Sequence, residues 1–436
     1  MADAPTRARH LVVAWTLAVA AIAYLDRVCI STAAPAIRAD LGLSDGEMGL
    51  VFSAFTLAYA LFEVPSGWFA DRFGARLTLT RIVVWWSVLT SLTGLAWGLA
   101  SLLVVRFLFG VGEAGMFPAT ARAFGRWLPR GEQGRAFGLA LMTAALGGAL
   151  SQPLVVALLA RTSWRVAFGV FGSVGLVWAI GWWRWFRDEP GEHPAVNPTE
   201  LGLIMAGRGE IFHHESVPWG TVVRNPTLRA LCLMYAAAIY GWYFYITWLP
   251  TYLLRARGFD LSQVGWLASL PLLSIAGGVF LGGWATDLLA HRLGARRGRR
   301  LAGLTGFPLA AAAAVAAILT PSPSLSAWLF AAAAGLAALG VAPGWAVSVE
   351  VGGAHAGVVS GAMNMFGNLG GALSPLVIGF SLERFGSWQA PLLSVAALYV
   401  VAAVLWLRID PDKRIVIVGP DTTPPPCTPS ATSSRR

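Results

Sequence analysis

The stretch GWFADRFGAR, residues 67–76, has a second copy about half the chain further on: GWATD at 283–287, followed by Gly294-Ala295-Arg296. Another pair, Gly147-Gly148-Ala149-Leu150-Ser151 and Gly370-Gly371-Ala372-Leu373-Ser374, recurs at nearly the same spacing. Two matches at one spacing predict an internal duplication. The chain is 436 residues long, 56% hydrophobic and only 12% charged. Soluble domains carry about 25% charged residues, so the composition excludes an ordinary soluble protein and predicts a polytopic membrane protein. A helix crossing the hydrocarbon needs about 20 apolar residues, which leaves room for about twelve spans. The expected fold is therefore an all-α polytopic membrane protein, with twelve transmembrane helices in two six-helix pseudo-symmetric bundles of the same orientation. Repeats of this kind place the binding site at the interface between halves.

Working outward, helices are expected at 11–32, 48–69, 79–98, 101–124, 137–160 and 166–187, and again at 230–254, 262–289, 302–320, 325–347, 358–381 and 388–407. This gives an N-terminal bundle over 1–187, a cytoplasmic linker over 188–229, a C-terminal bundle over 230–408 and a tail over 409–436. The tail is rich in Pro, Ser and Thr, a composition that predicts disorder. No cleavable signal peptide is expected, since the first apolar run is long and is interrupted by charge. Arginine supplies almost all of the net charge of +10 and gathers in alternate loops: Arg72, Arg76 and Arg81; Arg122, Arg126, Arg130 and Arg135; Arg292, Arg296, Arg297, Arg299 and Arg300. The opposite loops hold fewer, among them Arg38, Arg161, Arg165, Arg255, Arg257 and Arg384. Basic loops stay in the cytoplasm, which predicts cytoplasmic termini and an inner-membrane location. The basicity is thus a topology signal, and no nucleic-acid partner is implied.

Inside this apolar chain four charges stand out. Asp26 and Arg27 sit within AAIAYLDRVCISTAAP, residues 20–35, where each charge costs about 2.5–3.5 kcal/mol at a helix centre. Arg106 and Glu113 are seven residues apart on the expected fourth helix, nearly two turns, so they share a face separated by about 10 Å of rise. A guanidinium presents a planar fork suited to a carboxylate, and a carboxyl among apolar neighbours holds a proton more readily than one in water. The N-terminal half therefore offers two cations for an organic anion and two carboxyls for protons. The same four residues also fit two interhelical ion pairs with a purely structural role.

GWFADRFGAR resembles the loop signature between the second and third helices of the major facilitator superfamily. YLDRVCIS (24–31), VFSAFTLAYALFEVPSGW (51–68), VVRFLFGVGEAGMFPATARAFGRWLP (104–129), RDEPGEHPAVNPTEL (187–201) and SGAMNMFGNLGGALSPLVIG (360–379) resemble its anion:cation symporter family. That family includes bacterial importers of galactonate, glucarate and hexuronates. The resemblance implies proton coupling at Asp26 and Glu113, and gating or substrate-carboxylate binding at Arg27 and Arg106. It implies a proton-coupled symporter importing a small organic anion, such as a sugar acid, by alternating access, with protons and the lipid bilayer as its other partners. A proton-driven exporter of drugs or metabolites is the alternative, though two arginines suit anions better than cationic drugs.

Secondary candidates follow from position. Tyr24 lies one turn before Arg27 on the first helix and Tyr59 falls on the second; both fit substrate contact and ordinary packing. Asn364 and Asn368, spaced i, i+4, share a face and suit either sugar hydroxyls or interhelical hydrogen bonds. Tyr243, Thr247 and Trp248 on the seventh helix are weaker candidates of the same kind. Gly67, Asp71, Arg72, Gly74 and Arg76 read as gating residues at a membrane edge, with Asp287 and Arg296 as their second copy. Glu63 reads as a solvated or gate-side charge. Ala144 stands where galactonate-type importers carry a glutamine.

Other signals carry no chemistry. Gly110-Val111-Gly112-Glu113-Ala114-Gly115 matches GxGxxG but lacks a preceding strand, so its glycines serve close packing or a bend. His213 and His214 beside Glu210 and Glu215 read as a solvated loop. No metal cluster, cofactor or Walker motif is present in the sequence, and Cys29, Cys232 and Cys427 are too scattered for a disulfide framework. An enzyme and a channel are both disfavoured, and a monomer is expected.

Overall fold

The computed structural model describes residues 4–207, 224–353 and 356–412. The linker segment 208–223, with Glu210, His213, His214 and Glu215, lies outside the described residues, as do the tail from 413 onward and the Asp71 side chain. The elements in order are α1 Ala8–Leu41, α2 Asp45–Thr93, α3 Leu99–Glu113, α4 Met116–Trp127, α5 Arg130–Leu159 and α6 Trp164–Trp185. After the linker helix α7 Pro198–Gly207 come α8 Pro226–Thr247, α9 Leu249–Ala256, α10 Leu261–Leu267, α11 Ser269–Leu293, α12 Ala295–Leu319, α13 Pro323–Gly352, α14 Ala356–Phe385 and α15 Gln389–Trp406. Among the described residues ten segments are long and apolar enough to span a bilayer, with α3–α4 and α10–α11 each counted as one. The two arms of α2, folded back on each other at Gly74, complete twelve spans.

Local chemistry sets the boundaries. At the α1–α2 turn the Ser44 hydroxyl accepts from Glu47 N, and the Glu47 carboxylate accepts from Ser44 N, a reciprocal cap that satisfies two orphan donors. Asn225 with Pro226 begins α8, and Asp260 with Gln263 begins α10. The sharper event is the turn inside α2. Gly74 adopts φ 84, ψ 165 and Gly294, its repeat counterpart, adopts φ 82, ψ 155. That region is essentially closed to residues with a Cβ, so the duplicated glycine has a backbone reason in both halves. In the first copy the Asp188 carboxylate caps the new arm, accepting from Ala75 N at 2.6 Å and Arg76 N at 3.1 Å.

The second duplicated motif explains how each half packs. Gly147 lies against the α1 backbone at Ala21, and Gly370 against the α8 backbone at Ala236. The next glycines, Gly148 and Gly371, lie under the rings of Tyr24 and Tyr243. Small residues let backbones approach where no hydrophobic force drives helix association, and both halves use them at the same place.

The two bundles meet at the arginine-poor end. There Asp45 pairs with Arg38 of its own half and, at 2.7 Å, with Arg255 of the other. Gly49 packs on the Pro375 carbonyl, Ser53 Oγ donates to Ala372 O at 2.7 Å, and Ser269 Oγ donates to Ala149 O at 2.6 Å. Toward the arginine-rich end, Gly138 of α5, Gly283 of α11, and Gly357 and Gly361 of α14 face open space.

Gly74→Ala should destabilise the protein by about 1–3 kcal/mol of backbone strain, and additionally press on the Asp188 cap. Gly294→Ala meets the same strain but no neighbour within 4 Å. Thermal unfolding in detergent should therefore fall further for the first substitution than for the second; equal shifts would count against the Asp188 contact.

Candidate functional site

The four charges singled out in the sequence converge in the N-terminal half. Arg27 and Glu113, 86 residues apart, form an ion pair of 2.6 Å in which Arg27 Nη2 donates to Glu113 Oε1. Glu113 and Asp26 are each 1% exposed, and Arg106 is 2% exposed. The helix carrying Arg106 and Glu113 breaks immediately after the glutamate: Ala114 is extended and Gly115 turns to φ 90 before α4 begins. The glycine run thus produces a bend, and that bend leaves Glu113 as the last residue of α3.

Aromatic faces complete the surroundings of both cations. The Arg27 guanidinium carbon lies 4.9 Å from the Tyr24 ring centroid, 4.9 Å from Tyr59 and 5.1 Å from Phe55. Phe55 also lies 5.0 Å from the Arg106 guanidinium, which is 4.5 Å from Phe109. One ring therefore serves both arginines, and such contacts contribute about 2 kcal/mol when desolvated.

The remaining charge is unbalanced. Arg106 forms no ion pair among the described residues, and its Nε has no hydrogen-bond partner. Both carboxyl oxygens of Asp26 are likewise without a partner, as is Glu113 Oε2. Asp26 nonetheless lies within electrostatic reach of Arg106 and Glu113. The site thus holds one closed ion pair beside an open arginine and an open carboxyl.

The other candidates divide. Tyr24, Tyr59 and Tyr243 gather at the site, with Tyr243 reaching it from the C-terminal half within electrostatic range of Arg27. Trp248 is fully buried and donates Nε1 to Pro375 O at 3.2 Å, while the Thr247 hydroxyl donates to Tyr243 O. Both polar groups are occupied by helix packing. Ala144 is buried, and two turns along α5 the buried Gln152 bonds Thr32 while its Nε2 has no partner.

Asn364 and Asn368 do share a face, and it meets Glu63 of the other half. Asn364 Nδ2 donates to Glu63 Oε1 at 2.7 Å, and Asn368 Nδ2 lies 3.5 Å from Glu63 Oε2. A position 301 residues away in sequence gives no local signal of such a pairing; the clue available was a carboxyl one turn beyond Tyr59 on an apolar helix.

The motif around 67–76 makes its contacts within its own half. Arg76 donates to Trp183 O at 2.6 and 3.1 Å and lies over the Trp183 ring, while Arg72 lies near the rings of Trp68 and Phe73. A Cβ added at Gly67 would meet Pro118 at 3.8 Å. In the second copy Arg296 pairs with Asp410 at 3.0 Å, and Asp287 is exposed.

Comparison with known proteins bears on this arrangement. A protein named "Probable sulfoacetate transporter" from Cupriavidus necator is 36% identical over 95% of this chain and 96% of its own length. The hexuronate transporter of Bacillus subtilis is 30% identical over 89% and 91%, and the D-galactonate transporter of Escherichia coli 30% identical over 94% and 98%. A bacterial homologue of the human lysosomal transporter Spinster, crystallised inward-facing and unoccupied, shares the fold with a TM-score of 0.77 at 20% identity, covering 93% of this chain and 98% of that one. The family model of the Major Facilitator Superfamily matches residues 16–375 and again 232–434. The chain is a multi-pass membrane protein and belongs to the Major Facilitator Superfamily of transporters.

Proposed function

We propose that the protein is a proton-coupled symporter that imports a small organic anion, a sugar acid or a related carboxylate, across the inner membrane by alternating access. The observation that carries this reading is the buried Arg106 and Asp26, neither ion-paired among the described residues, in the same half as the closed Arg27–Glu113 pair. A proton on Asp26 leaves the Arg106 charge uncompensated, and one substrate carboxylate balances it. A proton on Glu113 then frees the Arg27 guanidinium to share that carboxylate. Removing an unpaired charge from apolar surroundings is favourable, so proton and anion each make the other's binding easier. Tyr24, Tyr59 and Tyr243 line the same space and offer hydroxyl groups to the substrate.

Transport requires that loaded and empty sites prefer different arrangements of the halves, because a ligand shifts an equilibrium only by its differential affinity for the two states. The arginine-rich loops support a cytoplasmic location for their end of the bundles and for both termini. On that orientation the described arrangement faces inward, sealed outside by Arg38, Asp45 and Arg255. The segments around Asp71, Arg72 and Arg76, and around Asp287 and Arg296, would close the inner side in the opposite state. The substrate classes named for the relatives are organic anions, in keeping with a two-arginine site.

A thermal-shift screen against organic acids tests the site. At least one hydroxylated carboxylic acid should stabilise the wild type, more strongly as pH falls, since the bound form holds a proton that the free form lacks. Arg106→Ala should abolish the shift; an undiminished response would remove Arg106 from the anion site. In proteoliposomes, adding the same acid should drive proton uptake, whereas anion flux without proton movement would overturn the coupling.

Arg27 and Glu113 should also behave as a unit in stability. Arg27→Met alone leaves a buried carboxylate and should cost about 3–5 kcal/mol. The double change Arg27→Met with Glu113→Leu should recover most of that loss in thermal unfolding, while abolishing transport.

A further inference from the structure

Inward of the outer seal lies a contact between the halves that involves a charge the transport chemistry above does not use. Glu63 stands one turn beyond Tyr59 on the first arm of α2, on the side away from the Asp45 seal. Its carboxylate accepts from Asn364 Nδ2 at 2.7 Å, with Asn368 Nδ2 at 3.5 Å. It forms no ion pair among the described residues, so its two neighbours from the other half are neutral amides.

The position along each helix is informative. From the outer end, α2 meets α14 at Gly46 against Phe380 and Glu383, at Gly49 against Pro375, at Ser53 against Ala372, and last at Glu63 against Asn368 and Asn364. Ser66 and Gly67 turn to Gly115 and Pro118 of their own half, and Gly361 and Gly357 face open space. Pro65, two residues after Glu63, lacks the N–H that would bond Leu61 O, which gives the arm a place to bend. Glu63 is therefore the innermost tie between α2 and α14, directly beneath the Arg27 aromatic cage.

We propose that Glu63, held by Asn364 and Asn368, is the thin inner gate of the transport cycle: it ties the halves under the loaded site and parts to release substrate inward. The inference rests on the transport reading for its purpose but not for its geometry. Glu63 is a positioning residue that acts through the two asparagines, and it does not contact the anion. The carboxylate suits the task because a hydrogen bond to an ionised group is roughly twice as strong as a neutral one, yet two amides impose no net charge that must be separated when the halves move. Loss of such a bond corresponds to about a tenfold change in the population of the tied state.

Spin labels at Leu139 of α5 and Leu281 of α11, with the three native cysteines replaced by serine, report the separation of the inner ends. Glu63→Ala should shift the distance distribution toward the wider population about tenfold, and Asn364→Asp, which sets like charges face to face, should shift it further. Glu63→Gln, whose amide oxygen still accepts from Asn364 but through a weaker neutral bond, should fall between wild type and Glu63→Ala. In exchange assays with the acid identified by thermal shift, Glu63→Ala should lower the maximal rate about tenfold while KM changes by less than about threefold. Unchanged distances for both Glu63→Ala and Asn364→Asp would overturn the gate. So would a raised KM at an unchanged rate, which would make Glu63 a substrate contact. Failure of the wild type to respond to any acid would instead defeat the transport reading and leave the distance measurement valid.

Discussion

A guanidinium buried in the middle of a membrane helix is costly, and the pair that Arg27 forms with Glu113 is the constraint around which the N-terminal half is built. The effective penalty for taking each such ion out of water is several kcal/mol, recovered only with good geometry and further contacts. The further contacts here are rings: Tyr24, Tyr59 and Phe55 around one arginine, Phe55 and Phe109 around the other. Glu113 also closes α3, where unsatisfied carbonyls make the helix end partly negative and disfavour a carboxylate. Its dependence on Arg27 is correspondingly strong. A pair so arranged is expensive to break and therefore sensitive to anything, proton or anion, that offers either partner a substitute.

The duplication serves the scaffold and not the chemistry. Gly74 and Gly294 turn the chain in the same backbone region, and Gly147 and Gly370 seat equivalent helices against their neighbours. The buried ions of the candidate site, by contrast, belong to one half. Where the first half carries Asp26, Arg27, Arg106 and Glu113, the second presents Tyr243, Asn364 and Asn368. One bundle supplies charge and the other supplies neutral hydrogen-bonding groups, so relative movement of the halves need not pull opposite charges apart at the site itself.

Much of this was legible in the sequence because membrane helices expose their logic along one axis. Low charge, span length and the repeated glycine motifs specify twelve helices in two related bundles, and charges isolated in apolar runs mark Asp26, Arg27, Arg106 and Glu113. Spacing along a helix also gives the shared face of Asn364 and Asn368. It does not say what that face meets. The rotation of one bundle against the other decides whether an amide reaches a sugar hydroxyl or a carboxylate 301 residues away, and no periodicity encodes it. For the same reason Trp248 and Thr247 look available on a helical wheel although their polar atoms are taken up by Pro375 O and Tyr243 O. The break after Glu113 was visible only as a glycine run whose consequence, packing or bend, depended on Gly115 adopting a positive φ.

The two ends of the interface differ in kind, and that difference has a consequence for how the halves move. The arginine-poor end is closed by backbone approach at Gly49, hydroxyl-to-carbonyl bonds from Ser53 and Ser269, and an ion triad centred on Asp45. Small residues and hydroxyls there match one register only, so the closure is strong while that register holds and is lost together when it slips. The inner side is tied by one carboxylate and two amides, a contact made by side chains and not by close backbone approach. On the proposed reading, the outer closure acts as a switch with two settings. Substrate release inward then requires only the inner tie to part, while return to the outward-facing state requires the whole outer surface to give way at once. The larger rearrangement falls on the step that follows release, when the empty site has recovered its own internal pairing.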